Sequence, residues 1–472
     1  MDVLLINPPT ENLVKTFAPE SLTEEVGFYP PLGLLYLAAF AKAAHGDRFN
    51  IEVLDTQVEH KSYADIERVF TKRRPQVVGI SCMTFLLIDA LHVARIARKV
   101  LPEAHIVFGG THPTIYPMEM AGRPETDSIV FGEGEVAFSE LLEALAEKKS
   151  LSGIPGVAFR ENGRVIVNPG RKFLTDLDAL PFPDRELLPY KDYYNLLGTG
   201  REIMTSLLTS RGCPFDCVFC TKKDGRTCRM RSPENVVAEI EVCLEKGITD
   251  FNIVDDTFTI NRKRALAIAD IIIRKGLRIT MDIRARVDQV DREMLEKLAE
   301  AGCNRIRYGV ESGSAEVLKA LRKGIELSSI KPAFEMAKQA GMTTFAYFMV
   351  GSPGEKKEDI KASIALAKDL DPDYVQFLVT TPFPATDLYD LGREKGILHG
   401  DFWREFSLDP APDFIAQWWT EHFTPEELDR WQKRAHTKFY YRPKYVFRQL
   451  RGLKSFKEFK RKARAAIKLW TG

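Results

Sequence analysis

The chain has 472 residues, 44% hydrophobic and 28% charged, with a net charge of +1. Those values describe a soluble globular protein of two or three domains and exclude a global electrostatic case for nucleic acid. No apolar run reaches the roughly 18 residues of a membrane span. Met1–Ile6 starts directly as a strand, without the basic head and cleavage site of a secretory leader. Seven cysteines, three of them bunched together, suit a reducing compartment better than a disulfide framework. A cytoplasmic location is expected.

From residue 1 to 147, strand-like apolar runs alternate with helical patterns. The expected strands are Val3–Asn7, Ile51–Asp55, Val77–Cys82, His105–Phe108 and Ser128–Phe131, with helical stretches at Leu34–Ala44, Tyr63–Lys72 and Leu87–Val100 among them. Continuous β-branched runs between helices point to a parallel sheet covered on both faces. Right-handed crossovers make it doubly wound, and ligands of such folds sit beyond the carboxyl ends of the strands. Those ends read Asn7-Pro8-Pro9, Ser81-Cys82-Met83-Thr84, Gly109-Gly110-Thr111-His112-Pro113 and Gly132-Glu133-Gly134-Glu135. Glycine lets backbone approach a ligand closely, although such loops also serve as ordinary turns. No G-x-G-x-x-G follows the first strand, which argues against a dinucleotide.

Residues 148–200 change character. Ile154–Arg160 and Arg164–Val167 flank Asn162-Gly163, a strong hairpin signal. Leu180-Pro181-Phe182-Pro183-Asp184 reads as a linker, because proline forbids regular structure there. Tyr190, Tyr193 and Tyr194 are expected to pack a domain junction, with a border on the substrate as the alternative.

Alternation resumes over 201–395. A strand at Leu207–Thr209 runs into Ser210-Arg211-Gly212-Cys213-Pro214-Phe215-Asp216-Cys217-Val218-Phe219-Cys220, three cysteines at C-x3-C-x2-C. Thiolates are soft ligands that suit iron–sulfur clusters, zinc or Cu(I). A [4Fe-4S] cluster normally takes four cysteines, and no fourth stands close at a comparable spacing. Three ligands would leave one iron open to a substrate or cosubstrate. Zinc fits less well, since a structural site wants four ligands and no histidine lies nearby. With Phe219 before the last cysteine, the stretch resembles the signature of radical S-adenosylmethionine (SAM) enzymes. The resemblance implies that Cys213, Cys217 and Cys220 hold the cluster and that its open iron takes SAM. One electron would then cleave SAM to a 5′-deoxyadenosyl radical.

Later strand ends extend the resemblance. Phe251–Phe258 ends in Asp255-Asp256, paired acids that are usually solvated or metal-binding and that the family comparison turns toward the methionyl ammonium. Arg284, at the end of Ile279–Arg286, can grip a carboxylate bidentately; SAM's carboxylate and an ion pair with Asp282 or Asp288 are the two readings. Glu311 and Ser312, in Arg305–Ser314, match the position facing the SAM ribose. Gly351 and Pro353, in Tyr347–Glu355, match the Gly-x-Pro-Gly-Glu segment behind the adenine. The fold implied is a partial (β/α)6 barrel. Cys243 and Cys303 are expected as core residues on helices, and Cys228 is the one further cysteine near enough to reach the site.

Placed before that motif, the N-terminal loops resemble the cobalamin-binding domain of B12-dependent radical SAM enzymes, and Pro30–Ala38 strengthens the likeness. The implied contacts are Asn7, Ser81, Thr84, Gly109, Gly110, Thr111, His112, Gly132, Glu133 and Gly134. The D-x-H-x-x-G pattern of histidine-ligated mutases is absent. His112 is expected to cap a loop, with cobalt ligation as the alternative.

Residues 396–472 read as a helical region with many aromatics between Phe402 and Trp431, expected as core or lid with some lining a substrate cavity. From Lys438 onward, twelve Lys or Arg stand against the single Glu458. This tail is either a basic amphipathic helix on the inner face of an anionic membrane or a solvated helix. The expected architecture is thus α/β throughout: a doubly wound, Rossmann-like domain (1–147), a hairpin and linker (148–200), a radical SAM barrel (201–395) and the helical region (396–472). The expected chemistry is functionalisation of an unactivated carbon using a [4Fe-4S] cluster, SAM and cobalamin. Methyl transfer to a hydrophobic small molecule ranks first, with a low-potential donor such as flavodoxin or ferredoxin as partner. Oxidative cyclisation or hydroxylation of a tetrapyrrole or lipid, as in the branch containing anaerobic magnesium-protoporphyrin ester cyclase, is the alternative. A non-catalytic cofactor-binding sensor stands third, disfavoured by the SAM-contact motifs.

Overall fold

The computed structural model describes residues 1–14, 28–194, 202–221 and 225–451. Two sheets organise it, one mixed and one wholly parallel. The first contains β1 (Asp2–Asn7), β2 (Asn50–Asp55), β3 (Val77–Ser81), β4 (His105–Gly109), β5 (Ser128–Val130), β6 (Val157–Glu161) and β7 (Arg164–Val167) in the order β2-β1-β3-β4-β5-β6-β7. The first five are parallel. β6 and β7 form the hairpin expected at Asn162-Gly163, and β6 pairs antiparallel with β5. The hairpin therefore widens the first sheet rather than standing apart as a linker.

Alternation along each strand divides the core. Leu4, Ile6, Val78, Ile80, Ile106 and Phe108 pack with helices Tyr63–Arg73 and Leu87–Val100. Val3, Leu5, Val77 and Val107 pack with helices Leu32–His45 and Gly134–Ala146 on the opposite face, as the two-residue period of a strand requires. Gly79 keeps the sheet flush, because a Cβ there would lie 2.5 Å from Leu5 Cδ2. The order reverses between β1 and β3, which opens a crevice at their carboxyl ends.

The second sheet holds β8 (Met204–Leu207), β11 (Asp250–Ile253), β12 (Thr280–Ala285), β13 (Cys303–Glu311), β14 (Thr343–Val350) and β15 (Tyr374–Val379), all parallel and in sequential order. Helices such as Pro233–Glu245, Arg262–Lys275 and Leu327–Gln339 cover its outside. A separate ribbon pairs β9 (Ser210–Arg211) with β10 (Arg229–Met230). Cys243 is buried on helix Pro233–Glu245, whereas Cys303 opens β13 instead of lying on a helix.

The exposed edge of β15 is covered by helix Pro425–Tyr440. Gln432 Nε2 donates to the Phe377 carbonyl at 2.9 Å, and the Phe377 amide donates to His436 Nε2 at 3.2 Å. Tyr440 Oη accepts from the Val375 amide and donates to its carbonyl. Residues four apart on one helix face thus satisfy backbone groups that an edge strand leaves open.

The aromatics between Phe402 and Trp431 are core. Phe402, Trp403 and Phe406 are buried against Tyr116, Met120 and Ala121 of the first domain, and Trp418, Phe423 and Trp431 join the core of the second sheet. None lines the large cavity described below, so the expectation that some border a substrate is not met there. They are far more useful as packing area. Arg404 pairs with Glu119 at 2.6 Å, and Arg123 donates to the Ser407 carbonyl at 2.7 Å. The tail beyond Arg451 lies outside the described residues.

Candidate active site

The three cysteines sit on the loop between β9 and β10, at the carboxyl end of the second sheet. Cys217 is buried, Cys213 half-buried and Cys220 exposed. The Val218 amide donates to the Leu321 carbonyl and the Val218 carbonyl accepts from the Leu388 amide, at 3.1 and 2.8 Å, so the loop's middle is tied to the barrel. Arg286 lies 3.6 Å from the centroid of Phe215 and is held bidentately by Asp288, at 2.9 Å for each bond. Lys323 lies over Phe219. A hydrogen bond from Cys220 brings the Cys217 thiol down to about 6 despite burial, assisted by the Lys323 and Arg286 charges; its partner Cys220 is raised by the same bond. Burial raises Cys213. Cys228 is half-buried near Ser210, and burial raises it too.

The paired acids separate. Asp255 is 1% exposed, and its carboxylate accepts from the Thr209 amide at 2.6 Å, from the Thr209 hydroxyl and from Ser210 Oγ at 2.6 Å. It secures the chain entering the cysteine loop. Asp256, next in sequence, is exposed.

Arg284, next to last in β12, is half-buried, with Nη1 donating to the Ile253 carbonyl at 3.2 Å. Among the described residues it joins no ion pair: Asp282 binds Arg307 bidentately, and Asp288 holds Arg286. The guanidinium that the ion-pair alternative assigned to an aspartate therefore remains available.

Glu311 closes β13 at φ +65° beside an irregularity in the β13–β14 register. Its Oε1 accepts from Lys323 Nζ at 2.7 Å. Burial would depress the lysine, but Glu311 and Cys217 outweigh it and raise the ammonium. Gly309 makes room for the pair, since a Cβ there would approach Glu311 Oε1 to 2.4 Å. Ser312 faces inward instead, fully buried against Ser363. Gly351 takes φ +79° with Leu428 packed where a Cβ would stand. Glu355 accepts from the Gly351 and Ser352 amides through Oε2, and burial pushes its carboxyl up to about 7.

Beyond the ends of β1, β3, β4 and β5 lies a cavity of about 500 Å³, in the size range of small-molecule and cofactor sites. Of the residues named as implied contacts, Asn7, Ser81, Gly109, Gly110, Gly132 and Gly134 line it, together with Tyr29 and Glu135. Gly33 and Gly132 open onto space free of any atom within 4 Å of a would-be Cβ. Tyr29 brings this wall into the field of Arg307, Asp282 and Arg284 at the barrel mouth. Thr84, Thr111, His112 and Glu133 do not line the cavity. His112 is buried between Thr84 Oγ1 and Ser407 Oγ, at 3.3 and 3.0 Å, and burial holds it down to about 3. Both ring nitrogens are thereby engaged in packing, which is the loop-fastening role. Thr114, missed in the sequence, bridges the Gly110 carbonyl and the Gly132 amide. Tyr193 packs the junction, donating to the buried Asp55 at 2.6 Å.

These donor sets fit the groups the sequence implies. Three thiols on one tethered loop, with cations beside the most buried, suit a cluster whose ligands bind separate irons. Among the described residues no group of three or more His, Cys, Asp or Glu is arranged to hold a metal ion; thiols bound to separate irons need not converge on a point. The glycine-walled cavity suits a large planar cofactor approached by backbone.

The model of the Radical SAM superfamily matches residues 207–367, and that of the B12 binding domain matches residues 22–142. The chain is 35% identical to an uncharacterized methyltransferase of Pyrococcus horikoshii over 95% of both chains. It is 30% identical to the anaerobic magnesium-protoporphyrin IX monomethyl ester cyclase of Rubrivivax gelatinosus, over 78% of this chain and 67% of that one. Its fold resembles the radical SAM methyltransferase TsrM of Kitasatospora setae, solved with cobalamin and a [4Fe-4S] cluster, with a TM-score of 0.67, 22% identity and coverage of 84% of this chain and 75% of that one.

Proposed function

Since the chain belongs to the cobalamin-dependent radical SAM enzymes, we propose that it transfers a methyl group to an unactivated carbon of a small molecule. The observation that carries this reading is the juxtaposition of the Cys213/Cys217/Cys220 loop with the glycine-walled cavity, joined through Glu135 and Arg211, while Tyr29 of the same cavity faces the charged groups at the barrel mouth. When bound, a [4Fe-4S] cluster supplies the electron that cleaves SAM, and cobalamin carries the methyl group.

The chain's residues would do the positioning. Glu311, steadied by Lys323, offers its second carboxylate oxygen to the ribose hydroxyls. Arg284 is set to take the SAM carboxylate, the exposed Asp256 would meet the ammonium, and Gly351–Pro353 would form the wall behind the adenine. Exposed Cys220 marks the side where an electron from a flavodoxin- or ferredoxin-like donor would enter. The 35% identity to a protein named as a methyltransferase supports methyl transfer. Oxidative ring closure is the second reading, supported by the 30% identity to the cyclase.

A hydrophobic substrate remains part of the proposal, resting now on the exposed Val446, Phe447 and Leu450 of helix Pro443–Arg451 and on the basic tail after it. Together these would bring the enzyme to an anionic membrane surface. No described helix is long and apolar enough to cross one. Anaerobic incubation with SAM, a reductant and extracted lipid tests the reaction. Methyl transfer yields both 5′-deoxyadenosine and S-adenosylhomocysteine; cyclisation yields the first alone. Cys217→Ser must abolish 5′-deoxyadenosine, and a variant that still forms it overturns the reading.

A further inference from the structure

All three cysteines lie between β9 and β10, the strands that close the neck of their loop. Across that neck Arg211 and Arg229 stand directly opposite each other. Like charges at such a position repel, and here the side chains are only 11% and 7% exposed, so water screens them little. An anion between them resolves the conflict. Glu133 Oε1 accepts from Arg211 Nη1 at 3.1 Å and from Arg229 Nη1 at 2.7 Å. Its Oε2 accepts from the Leu174 amide at 2.8 Å, and Arg229 donates to the Leu174 carbonyl at 2.8 Å. Arg211 Nη2 also pairs with Glu135.

Glu133 ends the loop after β5 and Glu135 lies in the first turn of helix Gly134–Ala146; Gly132, Gly134 and Glu135 of this stretch line the cavity. One short stretch of backbone therefore walls one site with its glycines and braces the other with its carboxylates.

We infer that Glu133, with Arg211 and Arg229, is a clasp that couples the two cofactor sites, so that filling the cavity and ordering the cysteine loop stabilise each other. The inference rests on reading these sites as a cobalamin cavity and an iron–sulfur loop. A ligand against Gly132 and Gly134 fixes the backbone that carries Glu133. The fixed carboxylate holds both arginines, and the arginines hold the neck. Coupling of this kind is reciprocal: whatever factor the cavity's ligand lends the cluster, the cluster lends the ligand. These three are positioning residues, since none touches a reacting atom.

The experiment titrates hydroxocobalamin into the full-length protein in its cluster-loaded and iron-free forms. In the wild type, the loaded form should bind at least about fivefold more tightly, the lower end of ordinary coupling. Glu133→Gln should bring that ratio close to one, and Glu133→Asp should restore part of it. A second readout needs no cofactor: in iron-free, cobalamin-free protein, Glu133→Gln should hasten alkylation of Cys213 and Cys228 by iodoacetamide. If Glu133→Gln fails to fold, Arg229→Lys, which keeps the charge but loses the fork, carries the same expectations. Equal affinities in the two wild-type forms, an unchanged ratio in the variant, or unchanged alkylation overturns the clasp. Those outcomes leave the functional reading standing, whereas a wild type that takes up neither iron nor hydroxocobalamin overturns both.

Discussion

Replacing Glu355 by Gln probes how the wall at Gly351–Pro353 is held. Glu355 is fully buried; one oxygen accepts from two backbone amides, and Oε1 has no hydrogen-bond partner among the described residues. Burial pushes the carboxyl from 4.5 up to about 7, so the folded state holds this proton more tightly than the unfolded chain. The contribution is fully present below about pH 4.5 and is lost as pH rises through about 7. At about 1.36 kcal/mol per pH unit the whole effect is about 3 kcal/mol. About 2 kcal/mol of it falls between pH 5.5 and 8.5. Glutamine does not titrate, and its carbonyl can accept from the same two amides. Relative to wild type, Glu355→Gln should therefore gain about 2 kcal/mol across that range. Urea unfolding of the iron-free, full-length protein at both pH values measures the difference. A gap that does not change with pH, or that moves in favour of the wild type as pH rises, refutes the reasoning.

Lys323→Met strands the Glu311 carboxylate without its buried cation, a loss of about 3–5 kcal/mol in such pairs; a lower melting temperature and weakened SAM binding by equilibrium dialysis are expected together. His112→Ala leaves Ser407 Oγ and Thr84 Oγ1 without a buried partner and should cost about 1–3 kcal/mol, while the absorption spectrum of bound cobalamin stays that of the wild type. Removal of residues 452–472 should abolish salt-sensitive sedimentation with anionic vesicles, to which each cation near the surface adds on the order of 1 kcal/mol. The helix before it should stay docked, because Arg442, Lys444 and Arg448 all pair with Asp371 at 2.9–3.1 Å.

Local pattern made most elements legible. The β-branched runs of the first domain and the Asn162-Gly163 turn appear within a residue or three of where periodicity puts them. That the hairpin joins β5 was not legible, because strand pairing across a connector is decided by tertiary packing. In the site, the cysteine spacing identified the loop, yet Lys323 lies far along the chain from Cys217 and carries no motif of its own. Arg286 had a weak signal: it stands two residues after Arg284, just past the end of β12. Asp255 and Asp256 follow the end of β11, so strand alternation did not say which of the two is buried. Glu133 was named for the right loop and the wrong side of it, since residues between two glycines can turn either way.

The cover that helix Pro425–Tyr440 gives to β15 has a consequence during synthesis. The sixty or so residues between the end of that strand and the end of the helix take about 3–12 s to translate at about 5–20 residues per second. Throughout that interval Val375 and Phe377 carry open backbone donors and acceptors on an apolar strand, a template for pairing with a neighbouring nascent chain. Shortened products ending between residues 380 and 425 should therefore aggregate rather than persist as inactive monomers. Polypeptides that reach Tyr440 before meeting a neighbour close the edge on themselves.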